Sequence, residues 1–165
     1  MKYDFSAVEV KWQKKWEEAH VFEATDDFSK EKFYALVEFP YPSGAGMHVG
    51  HIKAYSGMEI ICRKKRMQGY NVLFPIGFDA YGLPTENYAI KTGKHPRQVT
   101  DDNIEKFTAQ LKRVGFSFDW SRVVDTTTED YYRWTQWIFL KMFENGLAFR
   151  DTTLVNYCPD RKSVV

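Results

Sequence analysis

The chain has 165 residues, a formal net charge of +1, and 44% hydrophobic and 17% aromatic residues. That size and aromatic content suffice for a packed globular core, and the balanced charge excludes a free-standing nucleic-acid binder of the strongly basic kind. No apolar run approaches the roughly 20 residues of a membrane span. The mixed charges of residues 1–16 lack a secretory core, and Glu9, Glu17 and Glu18 argue against an acid-poor transit peptide. The two cysteines, Cys62 and Cys158, form no C-x-x-C pair, so neither a redox motif nor a zinc knuckle is read here and a cytoplasmic location is expected.

In chain order, Ser6 followed by Glu9 reads as a capping box. Val8, Trp12, Trp16 and Ala19 then recur at helical spacing and predict a helix near residues 7–19. A polar turn over 25–32 follows. The nearly continuous apolar run Phe33 to Phe39 predicts a strand buried on both faces, as in parallel sheets; Pro40 and Pro42 stop it. A glycine-containing loop leads to a helix beginning near Gly50, with Ile52, Tyr55, Glu59 and Cys62 on one side, ending at Gly69. The basic run Arg63 to Arg66 reads as a solvated helix face and Cys62 as a small buried apolar residue. Residues 71–74 predict a second strand, so strand, loop, helix and strand make a βαβ unit with a right-handed crossover.

Residues 77–84 read as a loop and 85–92 as a short helix ended by Gly93. Thr100 is the expected cap of the next helix, whose apolar stripe is Ile104, Phe107, Leu111 and Val114 and whose end is Gly115. Residues 116–124 read as irregular. A helix over 128–145 carries Tyr131, Trp134 and Trp137, which predict burial on more than one side, and 154–157 reads as a third strand.

Two loops carry the chemistry. The first is Pro40-Tyr41-Pro42-Ser43-Gly44-Ala45-Gly46-Met47-His48-Val49-Gly50-His51, between the first strand and the crossover helix. In open parallel sheets ligands bind at the carboxyl ends of strands, and a helix N-terminus there favours an anion. His48 and His51, three apart at a helix start, share one side. They fit two phosphate donors, two ordinary capping histidines, or half of a metal site that lacks a third ligand. Gly50 allows close approach to the backbone. The second loop, Gly77 to Asn87, brings Asp79 to the end of the second strand, where a carboxylate can hold an ammonium group or simply serve a turn.

His48-Val49-Gly50-His51 resembles the HIGH motif of class I aminoacyl-tRNA synthetases, and Phe39-Pro40-Tyr41-Pro42-Ser43-Gly44 resembles the leucyl branch of that family. Asp79-Ala80-Tyr81-Gly82-Leu83-Pro84-Thr85-Glu86 is similar to the family's D-A-F-G-L-P-A-E, with Tyr81 and Thr85 as mild departures. Lys11 to Trp16, Gly115-Phe116, Asp119 to Arg122, Tyr131 to Trp134 and Val155 to Pro159 match in the same order. The resemblance implies an α/β fold: the N-terminal half of a class I Rossmann-like catalytic domain, with parallel strands and crossover helices. It implies that residues 1–32 are an N-terminal helix and turn and 33–165 the first half of the catalytic domain, truncated before the editing insertion. His48, Gly50 and His51 are then the ATP site, with His48 and His51 catalytic, and Asp79, the Phe39 backbone and Tyr41 the leucine site. ATP with Mg2+, leucine and tRNA-Leu are the implied substrates and partners. Arg161 stands where some relatives carry a second zinc-binding cysteine after Cys158, so no zinc is expected.

The implied activity is leucine–tRNA ligation through leucyl-adenylate. The KMSKS loop, editing domain and anticodon-binding domain of such an enzyme do not occur in this sequence, so weak or no turnover by the fragment alone is expected. Two alternatives stand beside it: a small nucleotidyltransferase sharing H-x-G-H, and a non-catalytic binding or regulatory fragment. The full-length enzyme is expected to be monomeric. A parallel sheet cut midway exposes an edge and an apolar face, so the fragment is expected to self-associate.

Overall fold

The computed structural model describes residues 3–42, 46–159 and 163–164. The chain divides into two compact units, Met1–Thr128 and Glu129–Val165. The first contains α1 (Phe5–Glu18), β1 (Lys32–Tyr34), α2 (Val49–Met67), β2 (Asn71–Leu73), β3 (Gly77–Phe78), α3 (Leu83–Thr92), α4 (Pro96–Val114), a 3-10 turn (Trp120–Arg122) and β4 (Val124–Asp125). The second contains α5 (Glu129–Glu144), β5 (Tyr157–Cys158) and β6 (Ser163–Val164).

The βαβ unit forms as its pattern predicts. β1 and β2 are parallel, with Phe33 opposite Val72, and α2 connects them. Pairing continues beyond this short ladder, from the Ala35 amide to the Leu73 carbonyl at 2.9 Å. The chain after β2 is then bonded on both sides. Asp79 N–H donates to the Pro40 carbonyl at 3.2 Å; on the other side Asp119 N–H donates to Phe74 O at 2.8 Å and Val124 N–H to Ile76 O at 3.1 Å. β3 and β4 pair in parallel within this stretch. Under the strands lies a core built on Phe74, Ile76, Leu111 and Phe118, all fully buried, with Phe74 and Phe118 ring centroids 4.4 Å apart.

Helix ends follow local chemistry. Asp4, not Ser6, caps α1: its carboxylate accepts from Ala7 N–H at 3.2 Å and adds negative charge where the helix dipole favours it. α4 starts at Pro96, four residues before the expected Thr100 cap. His95 Nδ1 accepts from Arg97 N–H at 3.2 Å, and proline's missing N–H is harmless in a first turn. Thr100 is instead buried inside the helix. The buried stripe of α4 is Val99, Asn103, Phe107 and Leu111, while Val114 is exposed.

Other expectations are overturned. The run from Phe33 to Phe39 is buried on one face only: Ala35 is buried while Tyr34 and Leu36 are 63% and 58% exposed. Residues 77–78 and 124–125 are strands rather than loop, and the expected irregular stretch 116–124 includes the 3-10 turn. α3 begins at Leu83, two residues early, with Pro84 in its first turn. No residue of α5 is buried, Trp134 and Trp137 included. Within its own unit the chain that follows α5 has no regular structure until β5, so no described helix or sheet face there covers those rings. Residues 154–156 are not a strand, and β5 pairs antiparallel with β6.

The basic run in α2 is not simply a solvated face. Arg63 Nη2 donates to Gly115 O at 2.8 Å and Arg66 Nη2 to Ser117 O at 2.9 Å. Buried Glu59 accepts from Ser117 N–H and from its hydroxyl, each at 2.8 Å, and pairs with Arg63. These bonds seat residues 115–119 on α2, because buried polar groups must find partners. Cys62 is fully buried and its thiol is pushed up to about 11, chiefly by burial, which leaves it unreactive.

Candidate functional site

The first loop leaves β1 through Phe39 and buried Pro40 and enters α2 at His48. Ser43, Gly44 and Ala45 of the motif lie outside the described residues. His48 caps α2: its Nδ1 accepts from Gly50 N–H at 3.1 Å. His51 Nδ1 in turn accepts from His48 N–H at 3.3 Å. The imidazoles stack with centroids 3.9 Å apart. The capping box is thus made by two histidines in place of the usual Ser/Thr and Glu/Gln pair. A Cβ at Gly50 would stand 2.7 Å from His48 Cε1, so glycine lets the His48 ring fold back over the first turn.

These bonds fix the chemistry of both rings. A nitrogen that accepts from a backbone N–H carries no proton, so the proton of each neutral imidazole sits on Nε2. Each histidine therefore retains one N–H donor. The His51 pKa is lowered by burial first and by His48 second, against a smaller opposing effect of Glu38. The pair thus presents two Nε2–H donors at the positive end of a helix, suited to phosphate oxygens.

Asp79 follows β3. Its N–H is bonded to Pro40 O, and Ala80 N–H donates to Thr126 Oγ1 at 3.0 Å, so the backbone is held on both sides. Phe78 and Ala80 are buried and Asp79 is exposed between them. A carboxylate so presented can pair with a cation. Phe39 packs its ring on Gly77, where a Cβ would meet that ring at 2.6 Å. The Tyr41 hydroxyl donates to Gly82 O at 3.1 Å, accepts from Thr85 N–H at 3.3 Å, and lies 2.9 Å from Thr85 Oγ1. The structure thus joins His48 to His51, Pro40 to Asp79, and Tyr41 to the start of α3.

Two side chains of α4 that the sequence pattern did not single out also reach the first loop. Asn103 Nδ2 donates to Pro42 O at 2.9 Å, and Gln110 Oε1 accepts from Met47 N–H at 2.9 Å. The signal available was an amide inside an apolar helical stripe. A groove of about 680 Å³ between α1 and α4, lined by Trp16, Phe22 and Phe116, contains none of the predicted site residues. Among the described residues no group of three or more His, Cys, Asp or Glu is arranged to hold a metal ion. None of the described helices is long and apolar enough to cross a membrane.

The family model for tRNA synthetases class I (I, L, M and V) matches residues 11–165. The leucine–tRNA ligase of Alkaliphilus oremlandii is 56% identical over 160 residues, covering 97% of this chain and 20% of that protein. The leucine–tRNA ligase of Chloroherpeton thalassium is 53% identical over 165 residues, covering 100% and 20% respectively. Among solved structures, the Agrobacterium radiobacter LeuRS–tRNA–LeuAMS ternary complex superposes with a TM-score of 0.87 at 36% identity, covering 99% of this chain and 21% of that one. The chain therefore spans about a fifth of the length of the relatives it matches.

Proposed function

This chain belongs to the class I tRNA synthetases (I, L, M and V), and on that premise we propose that it carries the ATP- and leucine-binding half-site of a leucine–tRNA ligase. In this reading residues 1–32 lead into the first half of the Rossmann-like catalytic domain. The observation that carries it is the reciprocal His48–His51 cap at the start of the crossover helix.

ATP, as its magnesium complex, is the substrate whose phosphates meet the Nε2–H donors of His48 and His51. The leucine carboxylate attacks the α-phosphate, pyrophosphate leaves, and leucyl-adenylate results. Charge grows on the phosphate oxygens during attack, so fixed donors stabilise the transition state more than the ground state. Gly50, lacking a side chain, admits the His48 ring over the first turn of α2 and so sets that donor toward the nucleotide. Asp79 holds the leucine ammonium, helped by the Phe39 backbone, and Tyr41 offers its ring to the leucine side chain. Its hydroxyl is already engaged with Gly82 and Thr85, which supports a fixed ring. The leucyl group then passes to tRNA-Leu in the cytoplasm, with the remainder of a monomeric enzyme supplying most of the tRNA contacts.

The test is leucine-dependent ATP–pyrophosphate exchange by the full-length protein that carries this segment. His51→Ala is expected to lower kcat roughly 100-fold or more, the scale of losing one fixed donor to developing charge. Asp79→Ala is expected to raise the KM for leucine. Exchange that proceeds equally without leucine would overturn the reading.

A further inference from the structure

We infer that Asn103 and Gln110 of α4 are positioning residues that grip the first loop on both sides and thereby hold His48 and His51 in their donor geometry. This rests on the function proposed above and adds two residues that act on ATP only through the loop.

Residues 103, 107 and 110 share one helical face. Asn103, only 8% exposed, donates to Pro42 O where the loop leaves the strand. Gln110 accepts from Met47 N–H where the loop enters α2. Between them fully buried Phe107 turns its ring edge toward His51, with centroids 6.4 Å apart. The bonded path is short: Gln110 holds the Met47 amide, the next residue is His48, and the His48 amide bonds His51 Nδ1.

The residue types fit this task better than core filling. A buried amide is unfavourable unless both its needs and those of its partner are met, and leucine at 103 would fill similar space at no such penalty. Glycine at 46 meets the same requirement from the loop side. Its φ is +103°, and a Cβ there would stand 2.8 Å from Gln110 Nε2. The loop backbone therefore lies directly against the Gln110 amide. Both grips are uncharged, so they bring no negative charge toward bound phosphates. The N-terminal end of α4 is itself tied down, since Arg97 Nη1 donates to Thr127 Oγ1 at 2.8 Å and its Nη2 lies 3.7 Å from Asp125 Oδ2.

The experiment uses the full-length protein with Gln110→Met, Gln110→Glu and Asn103→Leu, each alone and combined with His51→Ala. In ATP–pyrophosphate exchange, Gln110→Met and Asn103→Leu are expected to lower kcat by about tenfold to a hundredfold, the scale of small misplacements of a catalytic group, with the leucine KM unchanged. Gln110→Glu retains an acceptor for Met47 N–H but adds negative charge beside the phosphate donors, so it is expected to restore protection of the Met47 amide from hydrogen exchange without restoring kcat. In the His51→Ala background both losses are expected to shrink, because only His48 is left for the loop to position and residues acting through one another are not additive. Undiminished losses in that background would overturn the inference, as would wild-type kcat in both single variants. Hydrogen exchange of the amides of residues 46–51 reads the grip without reference to catalysis. Faster exchange confined to that stretch in Gln110→Met is expected, and unchanged exchange would overturn the grip. If His51→Ala kept full activity while exchange still rose, the proposed function would fail and the grip itself would stand.

Discussion

The Tyr55 hydroxyl donates to the Glu38 carbonyl at 2.8 Å, tying the middle of α2 to the end of the strand that leads into the first loop. The ring packs edge-on against Phe116 and Phe118, with centroids 6.0 and 5.8 Å away. Packing and bond are therefore separable. Tyr55→Phe keeps the ring contacts and loses only the bond, so it is expected to lower stability by about 0.5–1.5 kcal/mol, read from urea unfolding midpoints of the chain. Burial pushes the phenol up to about 12, with a smaller contribution from Glu38. The hydroxyl thus stays a donor throughout the neutral range, and the difference between wild type and variant should not change between pH 6 and pH 9.

Two glycines should respond to alanine with opposite signs. At Gly77 a Cβ would stand 2.6 Å from the Phe39 ring and 2.7 Å from the Val124 carbonyl, and the backbone partner cannot move without breaking the β3–β4 pairing. Gly77→Ala is expected to cost roughly 1–3 kcal/mol, as overpacking does. Gly57 is exposed within α2 and has nothing within 4 Å of its Cβ position. Gly57→Ala is expected to stabilise by about 0.5–1 kcal/mol, because glycine loses more backbone freedom in a helix. Thermal melts of the two variants check both signs.

What could be read from the residues was what local spacing encodes. The βαβ unit, the histidines at the start of α2 and Asp79 after a strand follow from runs, periodicity and glycines close together in the chain. What failed depends on distant neighbours. Residues 77–78 become a strand because 124–125 arrive beside them, and nothing within the two-residue stretch announces that partner. Arg63 and Arg66 leave solvent because Gly115 and Ser117 present backbone oxygens to them. The α5 aromatics gave the wrong burial because large apolar rings signal a need for cover without supplying it. Asn103 and Gln110 escaped notice because an amide in an apolar stripe reads as noise until its backbone partner is known.

Asp119 should govern acid stability. Its side chain is fully buried and accepts from Ala24 N–H at 3.0 Å, Ser121 N–H at 3.1 Å, the Ser121 hydroxyl at 2.5 Å and Arg122 Nη1 at 2.6 Å. Burial raises its pKa, but the Ser121 hydroxyl, the Ala24 amide and Arg122 together outweigh burial, and the net shift is downward from 3.8. A depressed carboxyl gives stability that is present above the unfolded value and lost as pH falls through the folded one. Wild type should therefore lose stability below about pH 4, and Asp119→Asn should lack that part of the acid dependence. Asp119→Ala should cost roughly 1–3 kcal/mol for each buried donor left unpaired, with Arg122 adding little because it is half-exposed and rehydrates. Urea midpoints from pH 2 to pH 6 measure both effects.

His51 should titrate below 6.5, lowered by burial and by repulsion from His48. A lowered histidine pKa means that unfolding takes up a proton in the window between the folded value and 6.5. Its stabilising effect is complete above 6.5 and declines as pH falls through the folded value. Carbon-13 titration of the His51 ring is expected to give a midpoint below 6.5. His48→Asn, which can still cap α2, should move that midpoint upward by removing the repulsion. The same titration bears on phosphate binding. An anion held by the Nε2–H groups of both rings favours their protonated forms, so added pyrophosphate should raise the His51 midpoint, and more so in wild type than in His48→Asn. A midpoint that ignores pyrophosphate would leave the histidines as a helix cap alone, because two donors that grip a phosphate must feel its charge.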